Sequence, residues 1–181
     1  MRSSKPKVLF LCTGNSARSQ MAEGYLRHVA GDRFQAMSAG TEPKELNPLA
    51  VEAMREIGID ISHHKSKDVA SLLGQHIPYV VTVCDNAKKL CPIFPRTYKF
   101  LFWSLDDPAA AQGAQEEKLA VFRRIRDEIA QKSTRNWYLQ KQCDSPGHEW
   151  KSDFVTDASG IYRVKNARDI RPQLCVGRRD Q

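Results

Sequence analysis

Two runs, KVLFL at 7–11 and YVVTV at 79–83, are short and apolar almost without interruption. A strand with one wet face alternates polar and apolar residues, so runs like these belong to strands covered on both sides, as in a parallel sheet between helices. FQAMSAG at 34–40 and YKFLFW at 98–103 read as flanking strands. Between them, apolar residues recur at helical spacing: Ala22, Tyr25, Leu26 and Val29; then Leu49, Ala50, Ala53, Met54 and Ile57; then Leu119, Phe122, Ile125 and Ile129. The alternation predicts an open parallel α/β sheet with helices on both faces, and such sheets place ligands beyond the C-terminal ends of their strands. Cys12, Cys84 and the segment after Trp103 converge on that edge.

The chain has 181 residues, 41% of them hydrophobic, enough for one domain with a real core. Lys plus Arg number 28 against 21 Asp plus Glu, a net charge of +7 that suits an anionic substrate or an acidic surface. The basic residues are scattered, with no interleaved aromatic platform, which argues against nucleic acid. No stretch is long enough to span a membrane, and the apolar run after the basic opening MRSSKPK is too short for a signal peptide. A cytoplasmic protein is expected, whose five cysteines, at 12, 84, 91, 143 and 175, stay reduced and form no disulfide framework. From about residue 134 the chain turns polar and loop-forming. DFVTDASGIYRV within this C-terminal extension reads equally as a hairpin turning at DASG or as part of a partly disordered segment, and Cys143 and Cys175 read as surface thiols without a redox role.

LCTGNSARS at 11–19 carries the chemistry. Cys12 ends the first strand, TGNSA bends the chain, and Arg18 opens a helix. With Gly14 freeing the backbone, the N–H groups from Thr13, Gly14, Asn15, Ser16 and Ala17 through Arg18 and Ser19 are expected to form an oxyanion cradle. The same field lowers a cysteine pKa from its ordinary value of about 8.5, so Cys12 is expected as a thiolate nucleophile. Arg18 offers a planar fork for two oxygens of a tetrahedral anion, Ser19 a hydroxyl for the sulfur, and Asn15 a brace for the loop. The plain alternative is that Cys12 is merely a small buried residue at a strand end. In SLDDPAAAQG two carboxylates precede Pro108 just after the last strand, and an acid there can protonate a departing oxygen or simply cap a turn.

CTGNSARSQMAEGYL, SAGTEP, VVTVCDNAKKLCP, DDPAAAQGAQEEK and RRIRDEI together resemble the thioredoxin-coupled arsenate reductases, built on the low-molecular-weight protein tyrosine phosphatase fold. The likeness runs from about residue 6 to about 133. It implies a four-stranded parallel sheet, a catalytic domain over 1–133 and an unassigned extension over 134–181. It assigns the acid to Asp107, leaving Asp106 a solvated neighbour, and gives arsenate as substrate and thioredoxin as reductant; a monomer without cofactor or metal is expected. Cys84 and Cys91 stand seven residues apart, roughly 10 Å along a helix, beyond the reach of a disulfide unless the segment unwinds. The resemblance implies that unwinding: Cys12 attacks arsenic, Cys84 attacks Cys12, and Cys91 carries the disulfide to where thioredoxin reduces it.

The alternative activity is a tyrosine or small-phosphoester phosphatase, which needs only Cys12, Arg18 and Asp107; a silent oxyanion-binding module is a third reading. Against a phosphatase stand Ala17, where many phosphatases of this fold carry a second cysteine, and Ala109, where they carry an aromatic. Some members of the resembled family bind potassium, at positions that here are Asn15, Glu23, Ser38, Lys65 and Lys67. Protonated lysines cannot ligate a cation, so no potassium activation is expected. The neighbouring His63 and His64 are read as solvated.

Overall fold

The computed structural model describes residues 5–85, 87, 92, 94, 97–138, 154–156 and 162–164. Cys91, Cys143, Cys175 and the DASG turn lie outside the described residues. The chain divides into two units, Met1–Thr134 and Arg135–Gln181.

In the first unit β1 (Lys7–Cys12), β2 (Gln35–Gly40), β3 (Tyr79–Thr82) and β4 (Lys99–Phe102) form one parallel sheet in the order β2-β1-β3-β4. Val8, Leu9, Phe10 and Leu11 are all fully buried, so both faces of the central strand are covered, as its unbroken apolar run requires. The register sets Cys12 beside Gly40 and Leu11 beside Thr82, which brings the ends of β1, β2 and β3 to one edge.

Helix α1 (Arg18–Ala30) follows the first strand, and α2 (Pro48–Arg55) and α3 (Gln115–Ser133) pack with it. The start of α2 is fixed by Asn47, whose side chain accepts from the Leu49 N–H, with Pro48 behind it at the first helical position. The helix stops earlier than its apolar spacing suggested. Arg55 is its last residue, Gly58 turns the chain at φ 77°, and Ile57 is 39% exposed instead of joining the stripe. Leu119, Phe122, Ile125 and Ile129 of α3 are buried at the expected spacing. Arg126, itself nearly buried, locks α3 to α2 by donating to the Ala53 carbonyl at 2.9 Å and pairing with Glu56 at 3.1 Å.

In the second unit β5 (Phe154–Thr156) and β6 (Tyr162–Val164) pair antiparallel, Val155 opposite Arg163, where the sequence reads as a hairpin. Among the described residues no helix is long and apolar enough to cross a membrane.

Candidate active site

The loop between β1 and α1 is held from behind by its carbonyls. Thr41 N–H donates to Cys12 O, Glu42 N–H to Thr13 O at 2.9 Å, Lys44 N–H to Gly14 O at 2.8 Å, and Asn47 N–H to Ser16 O at 2.9 Å. With its C=O groups turned outward onto residues 41–47, the loop presents its N–H side to the cavity that Thr13, Gly14, Ser16, Ala17 and Arg18 line. Ala17 at the N-cap gives no side chain to the first turn of α1, and no acid stands in that turn. Such a helix start suits an anion. The loop fits only because Gly40 has no side chain: a Cβ there would stand 2.5 Å from the Thr13 carbonyl oxygen and 2.9 Å from the Asn15 nitrogen.

The expectation that Gly14 supplies the unusual backbone is corrected. The left-handed residue is Asn15, at φ 44°, and Gly14 is not among the positive-φ residues. Asparagine tolerates this region, and here its fully buried amide also satisfies itself. Asn15 Nδ2 donates to Ser19 Oγ and Ser38 Oγ, both at 2.9 Å, while Oδ1 accepts from Lys67 N–H at 2.8 Å.

Around the sulfur, Ser19 Oγ lies 2.9 Å and the Asn15 backbone nitrogen 3.0 Å from Cys12 Sγ. The expected depression of the Cys12 pKa is also corrected. Burial, with the residue 2% exposed, pushes the thiol above its ordinary value of about 9, outweighing the lowering by the Ser19 hydroxyl and by the backbone at Ser19 and Asn15; Cys84 nearby adds to the rise. Arg18 is committed elsewhere: one guanidinium nitrogen donates to the Leu105 carbonyl at 3.0 Å, and another pairs with Asp107 Oδ2 at 3.3 Å.

Cys12, Arg18, Asp107 and Cys84 all line one cavity of about 510 Å³. Cys84, just past β3 and buried, has its sulfur 3.5 Å from Thr13 Oγ1, and Ala87 N–H points to it at 3.4 Å. Asp107 caps the short turn Pro108–Ala110 through the Ala109 N–H at 3.2 Å, and its side chain is half exposed to the cavity mouth. Asp106 is exposed, as expected of a solvated neighbour, and forms a surface pair with Arg124 at 3.0 Å.

Behind the loop sits an acid the spacing alone did not single out. Glu23, almost buried, accepts from the Ser38 hydroxyl at 2.5 Å and pairs with Arg27 and with Lys67 at 3.4 Å. Lys67 Nζ also donates to the Lys65 carbonyl at 3.2 Å, so an ammonium stands among the oxygens the resemblance associates with potassium. These residues do not fit a potassium ion, and among the described residues no cluster suits a metal. His63 is exposed as expected, whereas His64 is half-buried. Its Nδ1–H donates to Gln20 Oε1 at 3.0 Å and its Nε2 accepts from Arg27 at 2.8 Å, while Gln20 Nε2 donates to the Asn15 carbonyl at 3.0 Å. Burial, aided by the charges of Arg27, His63 and Lys67 and opposed by Glu23, holds the His64 pKa below its ordinary value. Gln20 and Lys44 went unremarked in the sequence because an isolated amide or lysine carries no periodic or motif signal.

A strand ending in a buried thiol, an outward-carbonyl loop and an arginine opening the next helix define a class of oxyanion-handling enzymes. The chain belongs to the low molecular weight phosphotyrosine protein phosphatase family, whose description matches residues 7–144. Over 128 residues it is 50% identical to the arsenate reductase of Halalkalibacterium halodurans, covering 71% of this chain and 92% of that protein. It is 51% identical over 122 residues to the arsenate reductase of Bacillus subtilis, covering 67% and 88%. Among solved structures, an arsenate reductase in the phosphate binding state superposes with a TM-score of 0.63 at 31% identity, covering 72% of this chain and 95% of that one. The thioredoxin-dependent arsenate reductase Cg_ArsC1' of Corynebacterium glutamicum gives 0.58 at 28% identity, covering 80% and 66%.

Proposed function

We propose that this chain reduces arsenate to arsenite, with Cys12 as nucleophile, Cys84 and Cys91 as the thiol relay and thioredoxin as the final reductant, in the cytoplasm and as a monomer without cofactor or nucleic acid. The observation that carries it is the presence of two thiols, Cys12 and Cys84, on one oxyanion cavity with Arg18 and Asp107. A phosphatase needs one sulfur there; reduction needs two. Ala109 at the same cavity offers little surface to stack a phenyl ring, so phosphotyrosine is the poorer fit.

The Cys12 proton passes to an oxygen of the bound arsenate. The sulfur bonds to arsenic, an As–O bond breaks, and the departing hydroxyl leaves as water on the proton that came from Cys12, which Asp107 relays. Cys84 then attacks Cys12 sulfur. An S–S bond forms, the As–S bond breaks, and its electron pair stays on arsenic, which falls from As(V) to As(III) and leaves as arsenite. Cys91 attacks Cys84, freeing Cys12, and the Cys84–Cys91 disulfide is reduced by the dithiol of thioredoxin.

The test is arsenite release with thioredoxin and its reductase. The parent chain turns over repeatedly, whereas Cys84→Ser and Cys91→Ser do not. Multiple turnovers by Cys91→Ser at the parent rate overturn the relay, and phosphoester hydrolysis without arsenite release overturns the reductase.

A further inference from the structure

We propose that Lys44 is a substrate-capturing and specificity-determining residue, its ammonium supplying the second positive charge for a doubly charged oxyanion in the Cys12 cavity, an inference that rests on the reading of that cavity as an arsenate site. Lys44 lines the cavity together with Cys12, Arg18 and Asp107. Its backbone is tied to the loop by the bond to Gly14 O at 2.8 Å, one of several such bonds between residues 41–47 and the loop. Its stem lies along the bare face of Gly14: a Cβ placed there would be 3.6 Å from Lys44 Cδ and 3.7 Å from Cγ. A stem laid over the cradle brings a lysine's charged end within reach of an anion bound there.

Charge counting at the cavity singles this lysine out. Its cations are Arg18 and Lys44, and its carboxylates are Asp85, Asp106 and Asp107. Arg18 is shared with Asp107, and Asp106 is matched by Arg124. Among the described residues no carboxylate pairs with Lys44, so its charge is available to a ligand. Arsenate near neutral pH carries up to two negative charges, and Arg18 with the loop N–H groups supplies compensation chiefly for one. In this role the ammonium meets neither sulfur nor the departing oxygen. It therefore stabilises bound substrate and transition state alike, which is read in KM and in salt dependence, with kcat little moved.

The experiment compares the parent chain with Lys44→Gln, which keeps the stem, and Lys44→Arg, which keeps the charge. Steady-state arsenite release is measured at low and high ionic strength, and inorganic phosphate binding by calorimetry. For Lys44→Gln, KM for arsenate rises about three- to tenfold, phosphate affinity falls by a similar factor, and kcat/KM loses part of its salt dependence; Lys44→Arg restores all three. Unchanged KM and phosphate affinity in Lys44→Gln at low salt, or a loss confined to kcat, overturns the assignment. If the parent releases no arsenite yet binds phosphate more tightly than Lys44→Gln does, the reductase reading fails and the role of Lys44 stands. A parent chain that binds neither oxyanion overturns both.

Discussion

Ser19 Oγ lies 2.9 Å from Cys12 Sγ and at the same time accepts a hydrogen bond from Asn15 Nδ2. Since Asn15 fills its acceptor side, the single Ser19 proton is free to point at the sulfur. The orientation is handed down from Glu23, a carboxylate that only accepts: it takes the Ser38 proton, Ser38 therefore accepts from Asn15, and the amide is fixed with nitrogen toward both serines. Ser19→Ala removes the largest influence lowering the Cys12 pKa, so the thiol titrates still higher. A hydrogen bond to a charged group is worth about 1.5–3 kcal/mol, or roughly 10- to 100-fold in thiolate population. Alkylation of Cys12 by iodoacetamide, mapped by mass spectrometry across pH, should be slowed by that factor at pH 8. In the parent the midpoint should lie above that of an ordinary thiol; a midpoint near neutrality would show that the hydrogen bonds to the sulfur outweigh its burial.

Arg18 and Asp107 form an ion pair at 3.3 Å across the cavity mouth. Arg18→Lys keeps the charge and loses the fork, so affinity for inorganic phosphate should drop about tenfold or more. Asp107→Asn removes the proton donor without emptying the cradle. Its kcat for arsenite formation should fall about 10²- to 10⁴-fold while phosphate affinity stays within a fewfold of the parent. Equal loss in both measurements would assign Asp107 to binding.

Exchange of sodium for potassium at constant ionic strength should change the rate of arsenite formation less than about twofold, because the Lys67 ammonium already stands 3.4 Å from Glu23 and 3.2 Å from the Lys65 carbonyl. A potassium-specific rise in rate would show that the lysine yields its place.

His64 makes stability fall with acid. Its folded pKa is lowered from an ordinary value of 6.5, so between 6.5 and that lower value the unfolded chain binds a proton the folded chain refuses. The contribution is complete above 6.5 and is lost as pH falls through this window. His64→Gln, which cannot charge, should flatten the urea midpoint across pH 5–7; an unaltered slope would remove His64 as its cause.

Most of the sheet was legible because β1 and β3 are buried on both faces and so wear their environment as an unbroken apolar run. Periodicity placed the three helices, yet it overran α2, since Ile57 matches the stripe while Gly58 ends it. At the site, Cys12, Arg18 and Asp107 were readable because a strand, a turn and a helix start leave fixed traces in order. The upward shift of the Cys12 pKa was not. It depends on where Arg18 points and how deeply the sulfur is buried, both of them products of packing. His64 and Gln20 escaped for a similar reason, as these two partners lie 44 residues apart in the chain.

The outward carbonyls of the loop make anion recognition a property of main chain and charge, blind to the element at the centre of the tetrahedron. Phosphate and arsenate should thus be received almost equally, and selection falls to what happens afterwards. Phosphorus will not take an electron pair back from sulfur, whereas arsenic will, so one guest departs unchanged as a competitor and the other is committed by the second thiol.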